Sequence, residues 1–518
     1  MTNLKTNYRD MLMNMKMLGL AVLTIGALAA GGAHAAVQGI KGPTFHLSAS
    51  ADYVSQPDGA QIYSWGYGCT SASSGGVQTW TGTGPAATCP LMQMPGPTLI
   101  VHEGDAVTVQ LTNQLPLAAG NTSIVFSGLT VTTDTVDAGT AGLMTQEAKN
   151  GTTGNTVTYH FTATKPGTYA YYSGTQSDLQ IEMGLYGAVI VVPSGTVGTT
   201  SVVCPAHTLA TGETESRLAP SAYNLSDSCY DREFLFQFAE MNSRVHDAVA
   251  AQVQTCTTAP CPQVAALMEP YRPNYFLING RSMPDLMDAP YAPNYPRQPY
   301  NGNPQMHPGE QLLMRVIGQG RWQHPFHFHG NHARALARDG NTLLSQTLAA
   351  DPTQTRSAGP LLFTIPTVSG QSVDAVFTWT GQGLNWDAYG SDVATQQHSC
   401  NAKPLTATVG DPTVQSIGFD PTTHEYCADH GKPIPVTPPD PAIVANGQWY
   451  GGTPYIGLSG YISTNLPPGT LNQNPGAGYA YMWHSHNERE ITTNDVFPGG
   501  MLMMMIVEPW NWPIDETL

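Results

Sequence analysis

Between residues 98 and 193 the chain alternates apolar and polar residues over short runs, and each run stops at glycine, proline or asparagine. TLIVHEGDAVTVQLTN (98–113), NTVTYHFTATKPGTYAYY (155–172) and YGAVIVVP (186–193) have the length and patterning of sandwich strands. An apolar side chain at every second position puts one strand face into a core and leaves the other outside, so such a chain buries itself by stacking sheets. With 53 Gly and 41 Pro in 518 residues the punctuation continues downstream. Strand signals recur at REFLFQFAE (232–240), NYFLING (274–280), EQLLMRVIG (310–318), LLFTIPT and VDAVFTWTG (361–381), and finally at AYMWHSH and MLMMMIVEP. SRVHDAVAAQVQ (243–254) reads as a short helix. The expectation is an all-β chain with two Greek-key sandwiches. The first covers 44–194, a connection runs over 195–230, and the second covers 231–385 and closes with 479–510. Residues 386–478, rich in Pro, Gly and Asn, break the pattern and read as a long irregular insertion, a lid or a partner contact.

Lys5, Arg9 and Lys16 precede the apolar run MLGLAVLTIGALAA, and Ala33-His34-Ala35 offers the small residues of a cleavage site. Residues 1–35 therefore read as a secretory signal peptide, and the expected protein is exported to the periplasm or the exterior. No later stretch is long and apolar enough to span a membrane. Setting aside those three basic residues and Asp10 reduces 20 Lys+Arg and 37 Asp+Glu to 17 and 36, a net charge of −19. That acidity argues against nucleic acid or an anionic membrane as partner. Eight cysteines at 69, 89, 204, 229, 256, 261, 400 and 427 are most simply four disulfides, and pairing in sequence order would close four short loops. Spacing leaves the connectivity open. None of the eight forms a CxxC pair, which argues against a zinc ribbon or a thioredoxin-type site.

Two histidine clusters stand out. HPFHFHGNH places His324, His327, His329 and His332 within residues 324–332, and WHSHNERE places His484 and His486 about Ser485. Residues two apart on a strand share a face, so His327 with His329, and His484 with His486, each aim two imidazoles in one direction. Neutral imidazole is the commonest transition-metal ligand, and two such pairs on neighbouring strands make a site for copper or zinc, with His324 or His332 adjacent. His398, His424 and His430 in the insertion read as surface residues.

HPFHFHG (324–330) is similar to the H-P-x-H-x-H-G motif of the multicopper oxidases, whose domains are cupredoxin sandwiches. GPTLIVHEGDAVTVQLTNQLP (96–116) and GTYAYYSGTQSDLQIEMGLYGAVIV (167–191) resemble segments of the family's first domain, and AYMWHSH resembles its H-C-H closing segment. The resemblance spans most of the chain beyond the leader, apart from 195–230 and 386–478. It implies type 1 blue copper binding for His324 and trinuclear-cluster binding for His327, His329, His484 and His486. It also exposes departures. The central Cys of H-C-H is Ser485, so no thiolate–copper bond forms; the next type 1 histidine is replaced by Glu490. Gly500-Met501 falls near the axial position, after the extra residues ITTNDVFP. Met501, Met503 and Met505 alternate as core residues do. In the first domain, H-W-H-G becomes Val125-Phe126-Ser127-Gly128 and H-S-H becomes Tyr172-Ser173-Gly174. All four cluster ligands from that domain are absent.

Three functions follow. One is an exported copper-binding protein with a single histidine-rich site at His327, His329, His484 and His486. A second is a copper-dependent oxidoreductase with a mononuclear centre, acting on a small phenol, a metal ion or a nitrogen oxide. In that case Tyr171 and Tyr172 would face the metal and Glu182 or Asp178 would move protons. Against these roles stand plain readings, cavity-filling aromatics and a solvated acidic loop. The third is a metal-free scaffold. The expected partners are a metal ion and a small-molecule substrate, and a homo-oligomer is compatible with the sequence. Serine-hydrolase and phosphate-loop motifs are not evident.

Overall fold

The computed structural model describes residues 37–70, 89–197, 200–256, 258–266, 268–346, 355–382, 426, 428, 448–450, 478–510 and 512–514. The expected leader, nearly all of 386–478, and Cys400 with Cys427 lie outside these residues, as do His398, His424 and His430.

The patterned runs become strands, cut where the chain must turn. Residues 98–113 divide into Leu99–His102 and Ala106–Asn113 about Gly104, whose φ of 92° is open to glycine at no steric cost. Two sheets of five strands make the first sandwich. One is ordered Ile40–Lys41, Leu99–His102, Tyr186–Val192, Gly167–Tyr172, Val125–Phe126; the other Gln61–Cys69, Thr44–Ser55, Ala106–Asn113, Thr156–Thr162, Thr132–Ala138. Neighbours out of chain order mean that the connections cross between sheets, as Greek keys require. Phe45, Leu47, Val109 and Tyr159 from one sheet meet Leu99, Val189 and Val191 from the other in one core.

The second sandwich repeats the plan. Arg232–Met241, Gln311–Gly318 and Ser372–Thr378 form the middle of one sheet. The other runs Gln305–Met306, Leu502–Val507, Gly478–Ser485, His324–Phe328, Thr364–Thr367. Phe236, Met314 and Phe377 face Phe326, Trp483 and Met503 across the core. Met501, Met503 and Met505 are buried there, as the alternation predicts. The helix expected at 243–254 is Ser243–Thr255, with the Asn242 side chain accepting the Arg244 amide at its start.

Strand Tyr186–Val192 departs from the expected alternation and is buried on both faces, because its run of apolar residues is packed from both sides. One face enters the first core; on the other, Ala188 and Ile190 pack with Leu235 and Ile317 of the second sandwich. Polar contacts fix the same boundary: Arg315 Nη1 donates to Thr168 Oγ1 at 3.1 Å and Gln319 Nε2 to the Gly187 carbonyl at 2.7 Å. Cys69–Cys89, Cys204–Cys229 and Cys256–Cys261 are disulfides, three of the four expected pairs. Among the described residues no helix is long and apolar enough to cross a membrane.

Trp483, fully buried between Phe326, Phe328 and Phe377, donates its indole N–H to the His329 carbonyl at 3.0 Å. Trp483→Ala is expected to lower the unfolding free energy by about 3–5 kcal/mol, read as a lower denaturant midpoint at unchanged slope.

Candidate metal centre

Strand His324–Phe328 alternates buried and half-buried positions, with His324, Phe326 and Phe328 turned into the core and His327 turned out. Its antiparallel neighbour sets His327 opposite His484, Phe326 opposite Ser485 and Phe328 opposite Trp483. Residues directly opposite share a face, so His327 and His484 lie together outside while Ser485 and Trp483 go in. His329 follows on the outer side, its amide donating to the Met482 carbonyl at 3.3 Å. The His486 amide is held by the Pro325 carbonyl at 2.9 Å.

Three of the imidazoles converge. One ring nitrogen from each of His327, His329 and His484 lies within 4.8 Å of the other two, and Nε2 of His484 is 3.4 Å from Nε2 of His329. The exposed His486 ring stands 4.9 Å from that of His327 and 5.5 Å from that of His484, at the rim. Carbonyl oxygens select the tautomers. The Phe363 carbonyl takes the Nδ1 proton of His327 at 2.7 Å, and the Ser485 carbonyl takes that of His484 at 2.7 Å. Each of these rings thus presents a bare Nε2, the arrangement by which hydrogen-bonded histidines are oriented toward metals. Burial, followed by the neighbouring imidazoles, holds His329 down to about 4. His327 and His484 are lowered as well, again chiefly by burial. All three are neutral near pH 7 and carry the lone pairs that a metal needs. The donor set fits a transition-metal ion held by His327, His329 and His484, with His486 in reserve.

His324 does not join them. It is fully buried on the core side, and both ring nitrogens are taken: Nδ1 lies 2.9 Å from Glu490 Oε2 and Nε2 3.0 Å from Glu240 Oε2. Burial alone would lower its pKa, but the two carboxylates overcome it and hold the ring up to about 9. An imidazolium has no lone pair to give, so the expectation of His324 as a ligand is corrected. His332 is also apart, exposed with its ring 5.6 Å from that of Phe363.

The opposed faces explain Ser485. Its hydroxyl donates to Glu490 Oε2 at 2.5 Å, and Asn487 Nδ2 donates to Glu490 Oε1 at 2.8 Å. Where the resemblance puts a type 1 copper with its thiolate and histidines, the chain has a hydrogen-bonded cluster of Ser485, Glu490, His324 and Glu240. The cluster extends to the first sandwich: Tyr271 OH lies 3.3 Å from Glu240 Oε1 and 2.5 Å from Glu182 Oε2. Glu182 is buried with its pKa pushed to about 8 by burial, so its solvated-loop reading is corrected; Asp178 is exposed, as that reading has it. Sequence reasoning missed Glu240, whose signal is a carboxylate ending the apolar run REFLFQFAE.

The two first-sandwich segments that replace family ligands do lie side by side, with Tyr171 opposite Phe126 and Tyr172 opposite Val125. They hold no imidazole. Tyr171 is buried and donates to the Pro97 carbonyl at 2.7 Å, the role of a core aromatic.

Residues 87–196 match the profile of the multicopper oxidase family. Laccase abr2 of Aspergillus fumigatus is 35% identical over 101 residues, 20% of this chain and 16% of the relative. L-ascorbate oxidase of Brassica rapa subsp. pekinensis is 38% identical over 99 residues, 19% and 16% of the two chains. Over these residues the chain is similar to the multicopper oxidases. The matches span about a sixth of the length of these relatives. Among solved structures, the blue copper oxidase from Nitrosomonas europaea aligns over 89% of this chain and 85% of its own, at 15% identity and a TM-score of 0.44.

A pH titration checks the buried cluster. With the folded pKa of His324 near 9 against an ordinary 6.5, its contribution to stability is complete below pH 6.5 and is lost as pH rises through 9. His324→Gln is expected to flatten the fall in unfolding free energy between pH 6.5 and 9, while the separate slope from Glu182, beginning near 4.5 and ending near 8, remains.

Proposed function

We propose that the protein is an exported copper-binding member of the family, holding one ion at His327, His329 and His484 with His486 at the rim, and lacking a blue copper centre. The observation that carries this reading is the convergence of three neutral imidazoles whose ligand nitrogens lie within 4.8 Å of one another. Ser485 and the protonated His324 support the absence of a blue site, since neither supplies what a copper–thiolate centre requires. The basic and apolar leader, together with three disulfides, supports export. The division into sandwiches over 44–194 and over 231–385 with 479–510 belongs to the same reading.

A second reading is a copper-dependent oxidoreductase acting on a small molecule. It is favoured by the half-exposed setting of His327 and His329, which leaves a bound ion open to solvent on one side. Copper bound there supplies Lewis acidity and one-electron exchange. The Phe363 and Ser485 carbonyls orient the imidazoles of His327 and His484, while burial keeps those rings unprotonated.

Metal analysis with electron paramagnetic resonance on copper-reconstituted protein tests both. About one copper per chain, without intense blue absorption, and lost in a His484→Ala/His486→Ala variant, is expected. Absence of metal from the parent protein would leave only the scaffold function, whereas a blue band would overturn the account of Ser485. Substrate-dependent turnover that disappears with the copper separates the oxidoreductase from a storage or delivery protein.

Metal affinity is also expected to fall at a lower pH than the 6.5 of an ordinary imidazole would set, because burial lowers the pKa of all three ligands. Isothermal titration below that pH reads the effect.

A further inference from the structure

The outer face of the sheet does not end with histidines. Trp483 is opposite Met503 and points into the core, so the Met482–Met504 pair, one residue along, shares the outer face with the His484–Leu502 pair. The His329 amide reaches the Met482 carbonyl, which sets His329 beside Met482 on that face. Two adjacent rows result: His327, His484 and Leu502 in one, His329, Met482 and Met504 in the next. Met501, Met503 and Met505 are buried in the core, while Met482 and Met504 are only half-buried. Met287 places its sulfur 3.4 Å from the Met504 amide and is already engaged by that donor.

We propose that Met482, backed by Met504, gives the histidine centre a thioether flank that favours copper(I) over other ions. The inference rests on the histidine site proposed above. Directly opposite residues on an antiparallel pair have Cβ atoms about 4.5–5.5 Å apart, within the span of a methionine side chain. Methionine carries three rotatable bonds and a polarisable sulfur, so it swings toward an ion held by the neighbouring imidazoles without displacing the strand. Thioether sulfur is a soft, neutral donor that selects copper(I), whereas zinc(II) is served by imidazole alone. The thioether therefore names the oxidation state that four histidines leave open.

The test is an anaerobic titration of copper(I) against a chromophoric copper(I) chelator, with a parallel titration of zinc(II). It uses the full chain and the variants Met482→Leu, Met504→Leu, His484→Ala and, as a remote control, the exposed Met144→Leu. Leucine keeps nearly the volume of methionine and removes the sulfur. Met482→Leu is expected to weaken copper(I) binding by about tenfold or more, with Met504→Leu smaller, Met144→Leu unchanged and zinc(II) affinity within about threefold throughout. X-ray absorption of the copper(I) protein is expected to show sulfur beside nitrogen, and to lose the sulfur in Met482→Leu. Unchanged copper(I) affinity in Met482→Leu, with only nitrogen around copper in the parent, overturns the thioether flank and leaves the histidine site standing. Failure of the parent to bind either ion, or retention of both by His484→Ala, overturns the histidine site itself.

Discussion

The antiparallel ladder between His324–Phe328 and Gly478–Ser485 governs the rest of the structure. Its register decides, for each residue of both strands, whether the side chain meets the aromatic core or the outside. With His327 opposite His484, the imidazoles assemble on the outer face and Trp483, Phe326 and Ser485 assemble within. A slip by one residue would send the imidazoles into a core of Phe236, Phe377 and Trp483 and bring the tryptophan out. The aromatic packing therefore positions the histidines, although it does not touch a metal. The indole N–H on the His329 carbonyl is the point where core and site share an atom.

Two kinds of histidine sit on opposite sides of the segment 324–329. His329 is held near 4 by burial and by other imidazoles, while His324 is held near 9 by two carboxylates that outweigh its burial. The difference comes from the two carboxylates that face His324 and are missing around His329. Buried ionic groups add little net stability when fully partnered, but removing one partner costs on the order of 3–5 kcal/mol because the other charge is left in a dry setting. The triad of Glu240, His324 and Glu490 is thus a constraint on what else the pocket can contain. Its positive charge is a proton where the resemblance leads one to expect a metal.

The period of two and its glycine and proline stops made most strands legible, because alternation reports burial directly. The pairing of the two histidine motifs was legible for the same reason, as was the core role of Met501, Met503 and Met505. His324 was misread because its environment is non-local. Glu240 lies 84 residues away in sequence and reaches the ring only through sheet packing. Glu182 was taken for a solvated loop residue because a carboxylate between Ile181 and Met183 carries no sign of the Tyr271 hydroxyl and Asn242 amide that bury it. The outward pair Met482 and Met504 was hidden by the core methionines that flank Met504 on either side.

The hydrogen bond from Ser485 to Glu490 also limits the routes by which this pocket can change. A thiol in place of the hydroxyl would be a weak donor to a buried carboxylate, and the thiolate would set a second negative charge beside it. A thiolate at position 485 would therefore be disfavoured as long as Glu490 and Glu240 stay beside His324. The pocket is thus matched to neutral hydroxyl and amide donors around its two carboxylates and does not suit a further anion.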